Sequence, residues 1–193
     1  MYSTNHKILC TGNPNKGTLA KGIREVFPDA DFVHLSNGYD FTTQAGLDKF
    51  REKIKDYNLF INASRINLGV QLSLLKITRE EWLAGHVFNI GSVLEYEHFS
   101  WFDPKVTEDK LILRAASIDM CSEKFKTTHI IMGGCKDESP NKDVKMDPAS
   151  VAKIIQWIAN APNIHIPIIG IENDYWISDW QEQKNKGRNG VYR

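Results

Sequence analysis

Short apolar runs alternate with stretches of helical periodicity along almost the whole chain. Ile8-Leu9-Cys10, stopped by Thr11-Gly12, reads as a buried first strand. From Thr18 to Val26 the period turns helical, with Leu19, Ile23 and Val26 on one side. Phe32 to Leu35 reads as a second strand ahead of an Asn37-Gly38 turn. Leu47, Phe50 and Ile54 space a helix from Gln44 to Lys55, and Leu59-Phe60-Ile61 is a third strand. Asn67 to Lys76 predicts a helix apolar almost all round. His86 to Ile90 is a fourth strand ended by Gly91-Ser92. After a long irregular loop, the pattern predicts a helix from Thr107 to Lys124 and a fifth strand from Thr128 to Met132, stopped by Gly133-Gly134. Asp147 as N-cap and Pro148 at the first helical position open a last helix, with Val151, Ile154, Ile155 and Ile158 on one face. Ile164 to Ile171 is a last strand, which Pro167 places at an edge or a start. This order predicts an α/β fold: a Rossmann-like, doubly wound parallel sheet with helices on both faces. Without internal repeat or linker, residues 1–173 read as one domain, followed by a polar tail over 174–193.

Composition narrows the class. A chain of 193 residues can bury a core without disulfide staples, and 41% hydrophobic with 25% charged residues is ordinary for a soluble protein. The net charge is zero, so no global field recruits nucleic acid or an anionic membrane. The basic clusters near Lys142 and Lys184 are interrupted or flanked by acids. Cys10, Cys121 and Cys135 are odd in number and lack paired short spacings, which argues against a disulfide framework or a metal site and for reduced thiols. No apolar run is long enough to span a bilayer, and the first residues lack a signal-peptide core. A cytoplasmic protein is expected.

The chemistry starts between the first strand and the first helix. Backbone N–H groups at a helix N-terminus can hold a pyrophosphate, and glycine lets the main chain approach it. Gly12, Asn13, Asn15, Gly17, Thr18 and Leu19 are the candidate contacts, although the same residues would also serve an ordinary strand–turn–helix joint. The loop is similar to the T-G-x-x-x-G-x-G of short-chain dehydrogenases/reductases, with Lys16 at the middle glycine and Gly17 one step late. Without gaps it resembles the longer G-x-x-x-x-x-S-[IL]-A-x-G-I loop of the enoyl-acyl-carrier-protein reductase branch. Gly12, Leu19, Ala20, Gly22 and Ile23 match that loop, and Thr18 replaces the Ser.

Later segments resemble the same superfamily in the same order, over roughly residues 7 to 172. Asp56 to Ala63 is similar to D-x-x-[IV]-N-N-A-G, with the second Asn and the Gly changed or absent. Ile66 to Val70 resembles the segment carrying the family's active-site Asn, here Asn67. Val87 to Ser92 resembles the strand ending in the catalytic Ser, and Asp109 to Leu113 the S-K-x-A-L stretch with the catalytic Lys, here Lys110. Ile130 to Gly134 and Met146 to Ile155 resemble the strand before the P-G turn and the late P-x-x-V-A helix. Relative to the family the chain is shortened twice. One deletion removes a helix, and with it a strand in one reading, between Phe32 and Asp40-Phe41-Thr42; these last residues are similar to the family's D-[VL]-[TS]. The other lies between Asn62-Ala63 and Asn67.

The resemblance implies an NAD(P)(H) cofactor held by the glycine loop, Ser36, Asp40, Asn62, Ala63 and Lys110. It implies catalysis by Asn67, Ser92 and Lys110 with a Tyr four residues before the Lys, where this chain has Val106. Aligning on Lys105 instead puts Trp101 there, which donates only. Tyr96 and His98 are the candidate substitutes, and both equally suit a loop surface. Singly, Ser92 suits a strand end, Lys110 a helix surface and Asn67 a helix cap. Two functions follow: an oxidoreductase on a small carbonyl or alcohol, or a non-catalytic dinucleotide-binding or interaction protein. A structural protein that has also lost the cofactor is the weaker third reading. With no acid after the second strand to select NAD the cofactor leans to NADP, yet no Arg stands there for its extra phosphate. The helices from Asn67 and from Thr107 match those that pair between subunits, which implies a homodimer or homotetramer.

Overall fold

A computed structural model of the chain describes residues 6–64, 68–95, 104–133, 146–161 and 164–171. The elements run β1 (Ile8–Thr11), α1 (Thr18–Val26), β2 (Asp31–Val33), α2 (Gln44–Ile54), β3 (Leu59–Asn62), α3 (Val70–Glu81), β4 (Gly85–Ile90), α4 (Pro104–Asp119), β5 (Phe125–Met132), α5 (Pro148–Ala159) and β6 (Ile168–Ile171). The six strands form one parallel sheet in the order β2-β1-β3-β4-β5-β6. This is the α/β Rossmann-like architecture that the alternation predicts.

Strand residues alternate between two cores. Leu9, Phe60 and Val87 pack with α2, α3 and α4, while Cys10, Ile61, Phe88 and Ile130 pack with α1 and α5. Gly22 permits the α1–α5 contact, because a Cβ there would lie 2.4 Å from the carbonyl carbon of Pro148. α5 begins as its sequence dictates: the Asp147 carboxylate accepts from Ser150 N at 3.0 Å, and Pro148 needs no partner at the first position. Cys10 is fully buried in the centre of the sheet, and burial pushes its thiol pKa up. His86 is buried against Phe88, and mainly that burial lowers its pKa to about 3, so it stays neutral.

Five elements have boundaries that differ from those the periodicity predicts. β2 stops at Val33, and Leu35–Asn37 turn into a 3-10 helix, because the Asn37 side chain takes over the ladder's partners. It accepts from His34 N at 2.8 Å and donates to Phe32 O at 2.7 Å. α3 starts at Val70, since Gly69 before it is left-handed at φ 80°, and it runs on to Glu81. α4 runs from Pro104 to Asp119 rather than from Thr107 to Lys124. The Ser122 turn, bonded through its hydroxyl to Phe125 N, starts β5 at Phe125 instead of Thr128. β6 starts at Ile168, and Pro167, which cannot donate, instead accepts from His129 N at 2.8 Å.

Candidate functional site

In a parallel sheet every strand ends on the same side, and loops following neighbouring strands gather there. A crevice opens where the strand order reverses. Here the chain leaves β1 for β2 on one side and returns to β3 on the other. The reversal is fastened by Thr11, whose hydroxyl accepts from Ala63 N at 2.7 Å. The loop after β1 therefore faces Asn62 and Ala63 across this point.

Gly12 takes φ 128°, a conformation a side chain resists, and a Cβ there would come within 3.2 Å of Ala20. Asn13 folds the loop on itself: its side-chain oxygen accepts from Asn15 N at 2.9 Å and its carbonyl from Lys16 N and Gly17 N. Gly17 is the N-cap of α1 and supplies no side-chain bond, so the first-turn amides at Thr18 and Leu19 are left to an outside acceptor. Two buried oxygens at the end of β3, Asn62 Oδ1 and Ser64 Oγ, have no hydrogen-bond partner. An open backbone cradle and an uncapped helix start after β1 fit an anionic group such as the pyrophosphate of a dinucleotide.

At the end of β2, Asn13 Nδ2 donates to Ser36 Oγ at 3.2 Å. His34 beside it has its pKa lowered, first by burial and then by the charges of Arg24 and Lys16. On α1, Arg24 stacks on Phe32, 5.2 Å from the ring centroid, and donates to Asn15 Oδ1 at 3.2 Å. Asp40 serves its own turn, accepting from Thr42 N and from its hydroxyl at 2.6 Å, and these bonds lower its pKa.

Lys110 and Ser92 flank the end of β4. Lys110 Nζ donates to Gln71 Oε1 and to Ile90 O at 3.4 Å. Gln71 Nε2 donates to Asn62 O at 2.6 Å and Ile90 O at 3.0 Å, and Asn62 Nδ2 donates to Gln71 O and to Asn89 Oδ1. The lysine thus stands on a buried amide network spanning β3, β4 and α3. Asn67, Tyr96, His98 and Trp101 lie outside the described residues. Val106 is half-buried one turn before Lys110.

Gln71 is a site residue that the sequence reading misses; its only signal is polarity inside an apolar helical run. Glu95 is another. It lies fully buried in a 3-10 turn after Ser92 and accepts from Ser92 N at 2.8 Å. Ser92-Val93-Leu94-Glu95 spells the S-x-x-E of a capping box, a signal legible in advance. Among the described residues no cluster could hold a metal ion, and no helix is long and apolar enough to cross a membrane.

This architecture defines a Rossmann-like α/β protein with its crevice at the switch point. More narrowly, the chain has the fold of the short-chain dehydrogenase/reductase superfamily. It is similar to an apo SCOR enzyme from Clostridium thermocellum at 13% identity and TM-score 0.69, covering 91% of this chain and 94% of that one. It is similar to a short-chain dehydrogenase from Burkholderia cenocepacia in complex with NADP at 12% identity and TM-score 0.65, over 96% of both chains. A Leptospira borgpetersenii short-chain dehydrogenase with bound NAD+ aligns at 10% identity and TM-score 0.69, covering 88% of this chain and 92% of that one. No family model and no curated protein matches the sequence.

Proposed function

We propose that this chain binds NAD(P)(H) and acts as a weak oxidoreductase on a small carbonyl or alcohol. The observation that carries the reading is the loop after β1 at the switch point, with Gly12 at φ 128° and the start of α1 left uncapped. Two of the similar structures hold NADP and NAD+. A nicotinamide dinucleotide supplies or accepts a hydride when bound. The chain's own part is to receive pyrophosphate on the amides of Gly12 to Leu19, to place Lys110 for a ribose hydroxyl, and to offer Ser92 to the reacting oxygen. Arg24 and Lys16, whose charges act on His34 at the end of β2, favour the extra phosphate of NADP.

A second reading, a cofactor-binding protein without turnover, is favoured by Val106. Calorimetric titration with NADPH and NADH tests the binding. Binding is expected, tighter for NADPH, and lost in Gly12→Val while the circular dichroism stays native. No heat and no thermal shift with either nucleotide at millimolar concentration would remove the cofactor claim.

Assembly as a homodimer or homotetramer through α3 and α4 belongs to the same proposal. α4 supports it with apolar residues on its outer side: Ile112 and Ile118 are 47% and 48% exposed, and Ala115 between them is exposed too. Its sheet-facing side carries the core residue Leu113 together with Lys110, Arg114 and Ser117.

A further inference from the structure

The loop that carries Ser92 is held from below by ionisable side chains. Gly91 ends the β4 ladder with its N–H on Ile130 O at 2.7 Å. The chain then turns, and Ser92 and Glu95 bond reciprocally: Ser92 N donates to Glu95 Oε1 at 2.8 Å, and Glu95 N donates to Ser92 O at 3.0 Å. Alone, this would be a local cap. The Glu95 carboxylate, however, reaches two other elements. His129 Nε2 of β5 lies 2.9 and 3.0 Å from its two oxygens, and Arg114 Nη1 of α4 lies 3.6 Å from Oε2.

Glu95 and His129 side chains are wholly shielded from solvent, whereas the Arg114 side chain is 29% exposed. A buried carboxylate needs a counter-charge and donors, and Arg114 supplies the charge while His129 and the Ser92 amide supply donors. His129 is then fixed as the tautomer with its proton on Nε2, and its Nδ1 has no partner. The space is full: a Cβ on Gly91 would lie 2.2 Å from Glu95 Oε1 and 2.4 Å from His129 Nε2. Gly91 is therefore required by this cluster, and the main chain before Ser92 rests directly on it.

We infer that Glu95 is a positioning residue that fixes the main chain of Ser92 by clasping it to His129 on β5 and Arg114 on α4. The functional weight of the clasp rests on the proposed role of Ser92; the clasp itself does not. A side chain that reaches the reacting oxygen from the end of a strand must have its backbone set to a fraction of an ångström. In this chain that setting comes from across the sheet rather than from the strand's own ladder.

Amide hydrogen exchange tests the clasp with or without turnover. Glu95→Ala is expected to accelerate exchange at Ser92 by about tenfold or more while Gly91 and Ile130 stay protected. Glu95→Gln, which keeps an acceptor, restores most of the protection. Unchanged exchange at Ser92 would overturn the inference, as would Gly91 and Ile130 accelerating together with it. If Glu95→Ala does not fold, Arg114→Met loosens the carboxylate from its exposed end and should accelerate the same amide. Where carbonyl reduction is measurable, Glu95→Gln and Glu95→Ala lower kcat in that order and leave the NADPH dissociation constant within about twofold, since the pyrophosphate loop lies elsewhere. A weaker dissociation constant with unchanged kcat would contradict this. Failure of the wild type to bind either nucleotide would remove the proposed function, and the exchange result would still decide the clasp.

Discussion

Val106 stands one helical turn before Lys110, so the two side chains project from the same stripe of α4. A tyrosine at that place could hand a proton to a substrate oxygen with the ammonium beside it, and valine cannot. Loss of one general acid costs about two to four orders of magnitude in rate. Val106→Tyr is therefore expected to raise turnover of a simple carbonyl substrate by about a hundredfold. Stopped-flow oxidation of NADPH measures this, with cofactor affinity followed alongside because added bulk in a half-buried place strains packing. A variant that binds cofactor as the wild type does and still shows no turnover would favour the binding-protein reading. At this scale the sequence offers Lys110 and Ser92 as candidates and, in the S-x-x-E of Ser92 to Glu95, one of the groups that hold them. Gln71 and Lys110, or Glu95 and His129, are distant in the chain and meet only when α3 and β5 are placed. No local pattern encodes such a pairing.

Elements were far more legible, because each strand is a short apolar run and each helix has its own period. α1 and the start of α5 fall where Leu19, Ile23 and Asp147 place them. The differences lie where one residue overrides the period: the Asn37 side chain closing β2, and the left-handed backbone of Gly69 delaying α3. α4 is a different case. Its inner face mixes the core residue Leu113 with Lys110, Arg114 and Ser117, and its outer face holds Ile112, Ala115 and Ile118, so periodicity alone cannot say which side meets the sheet. That exposed apolar face has a measurable outcome. Light scattering at micromolar concentration is expected to give a dimer or tetramer, and the double variant Ile112→Lys with Ile118→Lys is expected to give monomer with a native circular dichroism spectrum. A monomeric wild type would show that this face is simply tolerated apolar surface.

For the whole molecule, the alternation of strands and helices was enough to specify the parallel sheet. In the fold β2, three residues long, is an outer strand of that sheet, bearing Asp31 with Lys53 and Tyr57 gathered on it. A short, charged strand suits an edge. The opposite end of the burial scale is Cys10, on the strand with partners on both sides. Its thiol can meet a reagent only when α1 and α5, which cover its face of the sheet, come away, so it works as a clock for opening of the molecule. Under native conditions iodoacetamide should label Cys121 well ahead of Cys10, and peptide mapping separates both from Cys135. The labelling rate of Cys10 relative to the unfolded chain then reads the free energy of that opening directly. A Cys10 labelled as fast in the native protein as in urea would mean that the sheet's centre is open. Otherwise one unmodified residue reports how cofactor, partner subunit or mutation tightens the entire fold, without any added probe.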